Sequence, residues 1–224
     1  MQKYVKVNNY RTGEIISKVI TDFYITLKPE NVLFIRTPTT GGWLDSLMKG
    51  KENITRILYE THKTKTSFVN KETIKLSRNE FQDFFKKVNK KFDLICMDPF
   101  HEYNYCIEDF EACLSVLSET GIIISHDCFP SNKMVASPEY TKGDWTGETY
   151  VAIIHFALEN PDLFYGILKI DTGIGIISKK ALEGIENKLD ISKQKEFVER
   201  YQNSEDIYAY FIKHCKEIMN IIQK

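Results

Sequence analysis

The chain has 224 residues, with 30 basic and 31 acidic side chains and a formal net charge of −1. That length can bury a sizeable core without disulfide or metal support. The neutral balance gives no electrostatic reason for nucleic acid or an anionic membrane as partner, and no apolar run approaches the ~20 residues that span a bilayer.

The N-terminal segment MQKYVKVNNYRTGE lacks an apolar signal region. The five cysteines, Cys96, Cys106, Cys113, Cys128 and Cys215, form no C-x-x-C pair. Several lie inside apolar runs, where a thiol behaves as a small hydrophobe. They read as free thiols, and the protein is expected to be soluble and cytoplasmic.

Taken in chain order, residues 13–27 carry Ile15, Ile16, Val19, Ile20, Phe23 and Tyr24 at helical spacing, and Pro29 ends the helix. Residues 31–35 read as a buried strand that breaks at Arg36-Thr37-Pro38-Thr39-Thr40-Gly41-Gly42, with a short helix over 43–48. A second strand over 54–59 ends at Glu60. Residues 66–76 are ambiguous and hold one short strand at most, and 79–88 reads as an amphipathic helix. The run 92–98, FDLICMD, is a strand that stops at Asp98-Pro99-Phe100-His101, and a helix follows over 104–117. Gly121 opens another apolar strand, which ends in His126-Asp127. A long loop over 128–146 leads to a helix at 148–158, with Thr146 as its cap. Residues 163–170 and 175–178 read as two strands joined through Asp171-Thr172-Gly173, and the chain beyond 181 as helical and charged.

Strands that are apolar throughout and alternate with helices predict a parallel sheet covered on both faces. The closing strand–turn–strand adds an antiparallel hairpin at one edge. The expected fold class is therefore α/β: Rossmann-like, with a mostly parallel sheet. The expected division is a main domain over 1–180 and a helical extension over 181–224 packed on it. The apolar stripe of that extension, with Phe197, Tyr201, Phe211 and Ile218, is read as packed on the domain, with a homodimer interface as the competing reading.

Three passages carry a resemblance. FDLICMDPFHEY is similar to the pattern FDLIFIDGxHxY, and ETGIIISHDC to GGxIVxHDC. SPEYTKGDWTGETYVAI, followed by LKIDTGIGII, is similar to a W-x-G-D-V-W-K-A helix start with a downstream D-x-x-x-G-x-G-V-I hairpin. Upstream, Ser77-Arg78-Asn79-Glu80-Phe81 is similar to T-S-D-E-F-F. Over residues 31–178 the chain resembles the class I S-adenosylmethionine-dependent methyltransferases, in a group that modifies small molecules and sugars. The resemblance implies a seven-stranded sheet whose last strand is antiparallel. It implies S-adenosylmethionine as cofactor and O-methylation of a small, sugar-derived acceptor.

The first turn departs from the family's L-E-I-G-x-x-x-G, because Phe34 takes the acidic position and Arg36 the first glycine position. S-adenosylmethionine carries a sulfonium cation. Two unit charges ~4 Å apart repel by about 4 kcal/mol at an effective dielectric near 20. Three outcomes stay open: Arg36 faces the sulfonium, pairs with the cofactor carboxylate, or shifts the pocket toward an anionic phosphate or nucleotide ligand. In the last case Gly41-Gly42 would supply backbone N–H groups. Thr37 and Asp98 also belong to the expected cofactor side. Glu60 is the nearest candidate for the acid that accepts from the ribose hydroxyls.

On the acceptor side, Asp98 either caps its turn or faces ligand. His101 is a candidate general base, as is His126. Parallel strands put their ends side by side, so Asp98 and Asp127 could share one acceptor hydroxyl or one divalent ion. Some related enzymes hold Mg²⁺ with such acids. Tyr103 and Trp145 are candidate substrate contacts, with Trp145 on a lid-like loop. Asp171-Thr172-Gly173 reads as a hairpin turn alone. The second functional reading keeps the fold without cofactor binding, as a binding or scaffold protein.

Overall fold

The computed structural model describes residues 15–65, 71–182, 185–186, 188–203 and 205–222. The N-terminal leader and residues 66–70 of the ambiguous stretch lie outside the described residues. Strands β1 (Val32–Arg36), β2 (Ile54–Tyr59), β3 (Thr73–Leu76), β4 (Phe92–Asp98), β5 (Leu117–Ser125), β6 (Phe164–Leu168) and β7 (Ile174–Ser178) form one sheet in the order β3-β2-β1-β4-β5-β7-β6. β1 to β5 pair in parallel, and β7 runs antiparallel between β5 and β6. The expected edge hairpin is therefore present.

Alternation along each strand divides the core in two. Leu33, Ile35, Ile95, Met97 and Ile123 face one side. There they meet α2 (Arg78–Lys87), α3 (Tyr103–Val116), α4 (Thr149–Glu159), α5 (Ile191–Gln202) and α6 (Ile207–Ile218). Val32, Phe34, Leu94, Cys96 and Ile124 face the other side, under α1 (Ile15–Leu27). Burial on both faces explains why these strands are apolar at every position.

Several boundaries differ from the sequence reading. The short helix after β1 is one 3₁₀ turn, Gly42–Asp45. α2 starts at Arg78 because Ser77 and Glu80 form a reciprocal capping box. β5 begins at Leu117, where α3 ends, and its register against β4 shifts between Phe92 and Leu94. Extra residues are absorbed there as a bulge, so residues 117–120, outside the strand in the sequence reading, belong to it. In the C-terminal part, Phe197 and Phe211 are fully buried in the main core. The chain end then bonds to the β6 edge through Ile222 N–H to Ile167 O at 2.8 Å.

One buried polar network fixes the turn that follows β4. Tyr59 donates its hydroxyl proton to Asp109 on α3 and accepts from the Phe100 backbone N–H at 3.1 Å. Arg78 pairs with the same Asp109 and lies over the Tyr59, Phe81 and Tyr105 rings. Burial pushes the Asp109 carboxyl up to about 6, against the opposing pull of Arg78. Tyr59→Phe leaves a buried N–H and a buried carboxylate short of a partner. It is expected to destabilise the fold by about 1–3 kcal/mol in denaturant unfolding.

Candidate functional site

The site lies beyond the carboxyl ends of β1, β4 and β5. β1 and β4 are neighbours although β2 and β3 branch to the other side, so this is the point where strand order reverses. Ligands of open α/β sheets bind there.

Four side chains form a closed ring of charge. Asp98 ends β4, His101 sits in the turn after it, and His126-Asp127 follow β5. His101 Nε2 lies 3.0 Å from Asp98 Oδ1 and 3.2 Å from Asp127 Oδ2. His126 Nδ1 lies 3.4 Å from Asp98 Oδ2 and 3.3 Å from Asp127 Oδ2. Asp98 is 3% exposed and His101 2%. Two carboxylates at such depth require compensation. Burial opposes the ionised Asp98, but the hydrogen bond from His101 and the close approach of His126 outweigh it and hold its carboxyl far below the usual range. Burial likewise opposes charge on His101 and His126, but Asp127 and Asp98 overcome it in both, with Asp171 adding its pull on His126, and both imidazoles are raised.

The second nitrogen of each imidazole is also engaged. His101 Nδ1 donates to the Trp145 carbonyl at 2.6 Å. His126 Nε2 lies 3.4 Å from Asp171 Oδ2 and 3.2 Å from the Thr172 hydroxyl. The turn read as structural alone therefore reaches the site. The β5–β7 register explains this, because pairing Ser125 with Gly175 brings residues 171–173 beside His126. Asp127 and Asp171 both adopt positive φ, 59° and 55°.

The cofactor side is built around Arg36. Its Nε donates to Asp45 Oδ1 at 2.7 Å, its Nη2 to Asp45 Oδ2, and its Nη1 to the Thr37 carbonyl at 2.9 Å. The guanidinium is thus neutralised by a fork from within the chain. Neither a bare charge facing the sulfonium nor a free anion receptor describes it. Thr37 is fully buried, and the Thr40 hydroxyl links it to the Asp98 carbonyl at 2.6 Å. Gly41 has φ 64°, and a Cβ there would stand 2.8 Å from Arg36 Cβ and 2.9 Å from Asp98 Cβ. Glycine is required where this turn crosses the β1–β4 junction. A Cβ on Gly42 would meet nothing within 4 Å, so the space beyond the turn is open. Trp43 Nε1 reaches Asp98 Oδ2 at 3.3 Å.

The remaining candidates fall outside the ring. Glu60 pairs with Lys75 at 2.7 Å, just past β2. Tyr103 directs its hydroxyl to His155 on α4 and stacks near Tyr201. Trp145 is 5% exposed, gives its indole N–H to the Ser137 carbonyl, and packs on Phe100 and His101. It props His101 rather than presenting an open face. Thr146 does not cap α4; its hydroxyl bonds the Val135 carbonyl, and Glu148 holds the cap position. Gly147, at φ 51°, allows Glu148 N–H to reach the His101 carbonyl at 2.7 Å.

Thr40, Trp43 and Asp45 were not singled out as site residues in the sequence, and Asp171 and Thr172 were read there as a hairpin turn alone. Asp45 had a usable signal, since a buried arginine at a cofactor turn needs an acid close by. Trp43 had none, because its partner Asp98 is distant in sequence, whereas Asp171 stood in the quoted hairpin motif without a sign that it would reach His126.

The ring also fits a cation. Asp98, His101 and Asp127 offer ligand atoms within 4.8 Å of one another. His126 Nδ1 is buried without hydrogen-bond geometry to either carboxylate, as a nitrogen aimed at an ion would be. Mixed nitrogen and oxygen donors suit a transition ion better than Mg²⁺, which favours oxygen.

Comparisons agree with the sequence resemblance. Residues 39–128, less than half of the chain, match a family described as a methyltransferase domain. No curated protein matches. Among solved structures, a candidate caffeoyl-CoA O-methyltransferase from Staphylococcus aureus superposes with TM-score 0.53 and 16% identity, covering 79% of this chain and 86% of that one. An O-methyltransferase from Bacillus cereus, in complex with SAH, gives TM-score 0.50 and 12% identity over 77% and 84%. The fold is the Rossmann-like fold of these methyltransferases.

The ring makes a signed prediction about pH. The raised imidazoles contribute stability that is complete below their unfolded value of about 6.5 and lost as pH rises through their elevated folded values. The depressed Asp98 contributes stability that is complete above about 4 and lost as pH falls toward its folded value. Calorimetric Tm should therefore decline on the alkaline side, and His126→Gln should flatten that decline while lowering Tm at pH ~6.

Proposed function

We propose that the protein is an S-adenosylmethionine-dependent methyltransferase acting on a hydroxyl of a small, sugar-derived acceptor. The observation that carries this reading is the β1–β4 junction. Gly41 presses against Arg36 and Asp98 at the switch point, and the space past Gly42 is open. The residues fit the cofactor, since Asp45 removes the free charge that would have opposed the sulfonium. The same pairing weakens the two other readings, a fold without cofactor binding and an anion receptor, because both drew on an unpartnered Arg36.

S-adenosylmethionine, when bound, supplies an electrophilic methyl group. The Gly41–Gly42 turn leaves room for it, and Asp98 anchors that turn from β4. The acceptor oxygen is placed by the ring beyond β4 and β5, and positioning provides most of the rate. Both imidazoles are raised by the carboxylates they face, which makes His101 and His126 poorer candidates for a free base than the sequence suggests. Asp127 is the carboxylate placed to receive the acceptor hydroxyl: its Oδ2 is shared by both imidazoles, and its Oδ1 has no hydrogen bond among the described residues. His101 and His126 then hold the carboxylates in place and balance their charge.

A second reading is favoured by His126 Nδ1, buried beside two carboxylates without a proper hydrogen bond. Asp98, His101 and Asp127 would hold a divalent ion, with His126 Nδ1 beside them, and it would polarise the acceptor hydroxyl. Metal analysis of the purified protein, with turnover before and after chelation, separates the two readings. Unchanged turnover in metal-free protein leaves the proton ring alone.

Calorimetry with S-adenosylmethionine and S-adenosylhomocysteine tests the main reading. Micromolar binding is expected, and no binding at millimolar ligand would overturn it. Asp45→Asn should weaken S-adenosylmethionine by at least about tenfold and S-adenosylhomocysteine by less, because only the former carries the sulfonium charge that a bare Arg36 would repel. With a panel of hydroxylated sugar acceptors, Asp127→Asn should cut turnover by roughly 10²–10⁴ while cofactor binding persists.

A further inference from the structure

Behind the loop 128–146 lies a cavity of about 400 Å³ that the proposed chemistry does not use. Ala136, Ser137 and Pro138 of the loop bound one side, the start of α4 a second, and the α5–α6 junction a third. A space of this size accommodates a small molecule.

Its walls are aromatic and acidic. Tyr150, Tyr201 and Tyr208 contribute three phenol rings. Phe211 lies between two of them, with its centroid 4.7 Å from Tyr150 and 6.2 Å from Tyr208. The faces of such rings attract cations.

The charges of the lining do not cancel. Asp206 pairs with Lys133 at 2.5 Å, and Glu205 with Arg200 at 2.7 Å. Glu148 has no cation within ion-pair reach among the described residues. Its carboxylate accepts from the Tyr201 hydroxyl at 2.7 Å and from the Tyr103 N–H at 3.1 Å. One negative charge is therefore left uncompensated beside the rings.

A second observation is independent of charge. Tyr150 is 3% exposed and lines the cavity, and its hydroxyl, accessible at the cavity wall, has no hydrogen-bond partner among the described residues. That hydroxyl is free to bond a polar group of a molecule held in the cavity.

We propose that this cavity binds a small organic ammonium ion that carries a hydroxyl group. The ammonium sits against the tyrosine faces and Glu148, and the ligand hydroxyl bonds Tyr150. The site communicates with the charge ring through the backbone. The loop that walls the cavity also carries Trp145, whose carbonyl holds His101, and Glu148 N–H bonds the His101 carbonyl. Occupancy would therefore steady the segment that supports His101.

Choline is the probe, and 3,3-dimethylbutan-1-ol is the neutral control of the same shape. Isothermal titration of the full chain should show saturable one-to-one choline binding, at least about tenfold tighter than the control. Tyr150→Phe, which removes only the unpartnered hydroxyl, should weaken choline about fivefold. Tyr208→Ala should weaken it by a similar factor. Glu148→Gln should erase the preference for the cation, and the two tyrosine variants keep the test intact if that variant misfolds. Equal affinity for choline and the control would overturn the proposal. So would failure to saturate by about 100 mM choline, or unchanged affinity in both tyrosine variants.

Discussion

Two carboxylates held side by side at the ends of β4 and β5 set the terms for the rest of this structure. Parallel pairing of β4 with β5 brings them together, since Met97 stands opposite Ser125, with Asp98 directly after the first and Asp127 two residues after the second. Left bare, Asp98 and Asp127 would repel at low effective dielectric. His101 and His126 interleave with them and convert repulsion into a closed alternation of charge. Each imidazole must then be oriented from behind. The Trp145 carbonyl orients one and Asp171 the other. The long loop and the edge hairpin thus have a common purpose, although they are far apart in sequence.

The cofactor side follows a similar rule. Arg36 brings a permanent charge to a turn where glycine is usual in the family the sequence resembles. The chain answers with Asp45, nine residues on, through a two-pronged pair. Asp45 closes the 3₁₀ turn that Gly41 and Gly42 allow, so the departure and its remedy belong to one local unit. The turn keeps its close approach to β4 because Gly41 lacks a Cβ, and Thr40 pins it to the Asp98 carbonyl.

Proton chemistry shifts accordingly. A histidine after a buried strand invites the role of general base. Enclosed between two carboxylates, it holds its proton more tightly, and Asp98 beside it is held in its ionised form. Residue type suggests the chemistry, but the neighbours decide which atom carries the proton.

The sequence by itself determined the sheet and the place of the site. Runs such as Leu94-Ile95-Cys96-Met97 and Ile122-Ile123-Ile124 can only be strands buried on both faces, and the polar residues that end them must lie at one sheet edge. Composition and period carry that information locally. Tertiary structure alone decided the partners. Arg36 with Asp45, His126 with Asp171, Trp145 beneath His101, and Glu60 with Lys75 are matters of distance between segments that no periodicity encodes. The β5 start shows the same division. Gly121 reads as a boundary, but pairing of Leu117 with Phe92 extends the strand through it, because a neighbouring strand satisfies backbone groups that local sequence would leave to a turn.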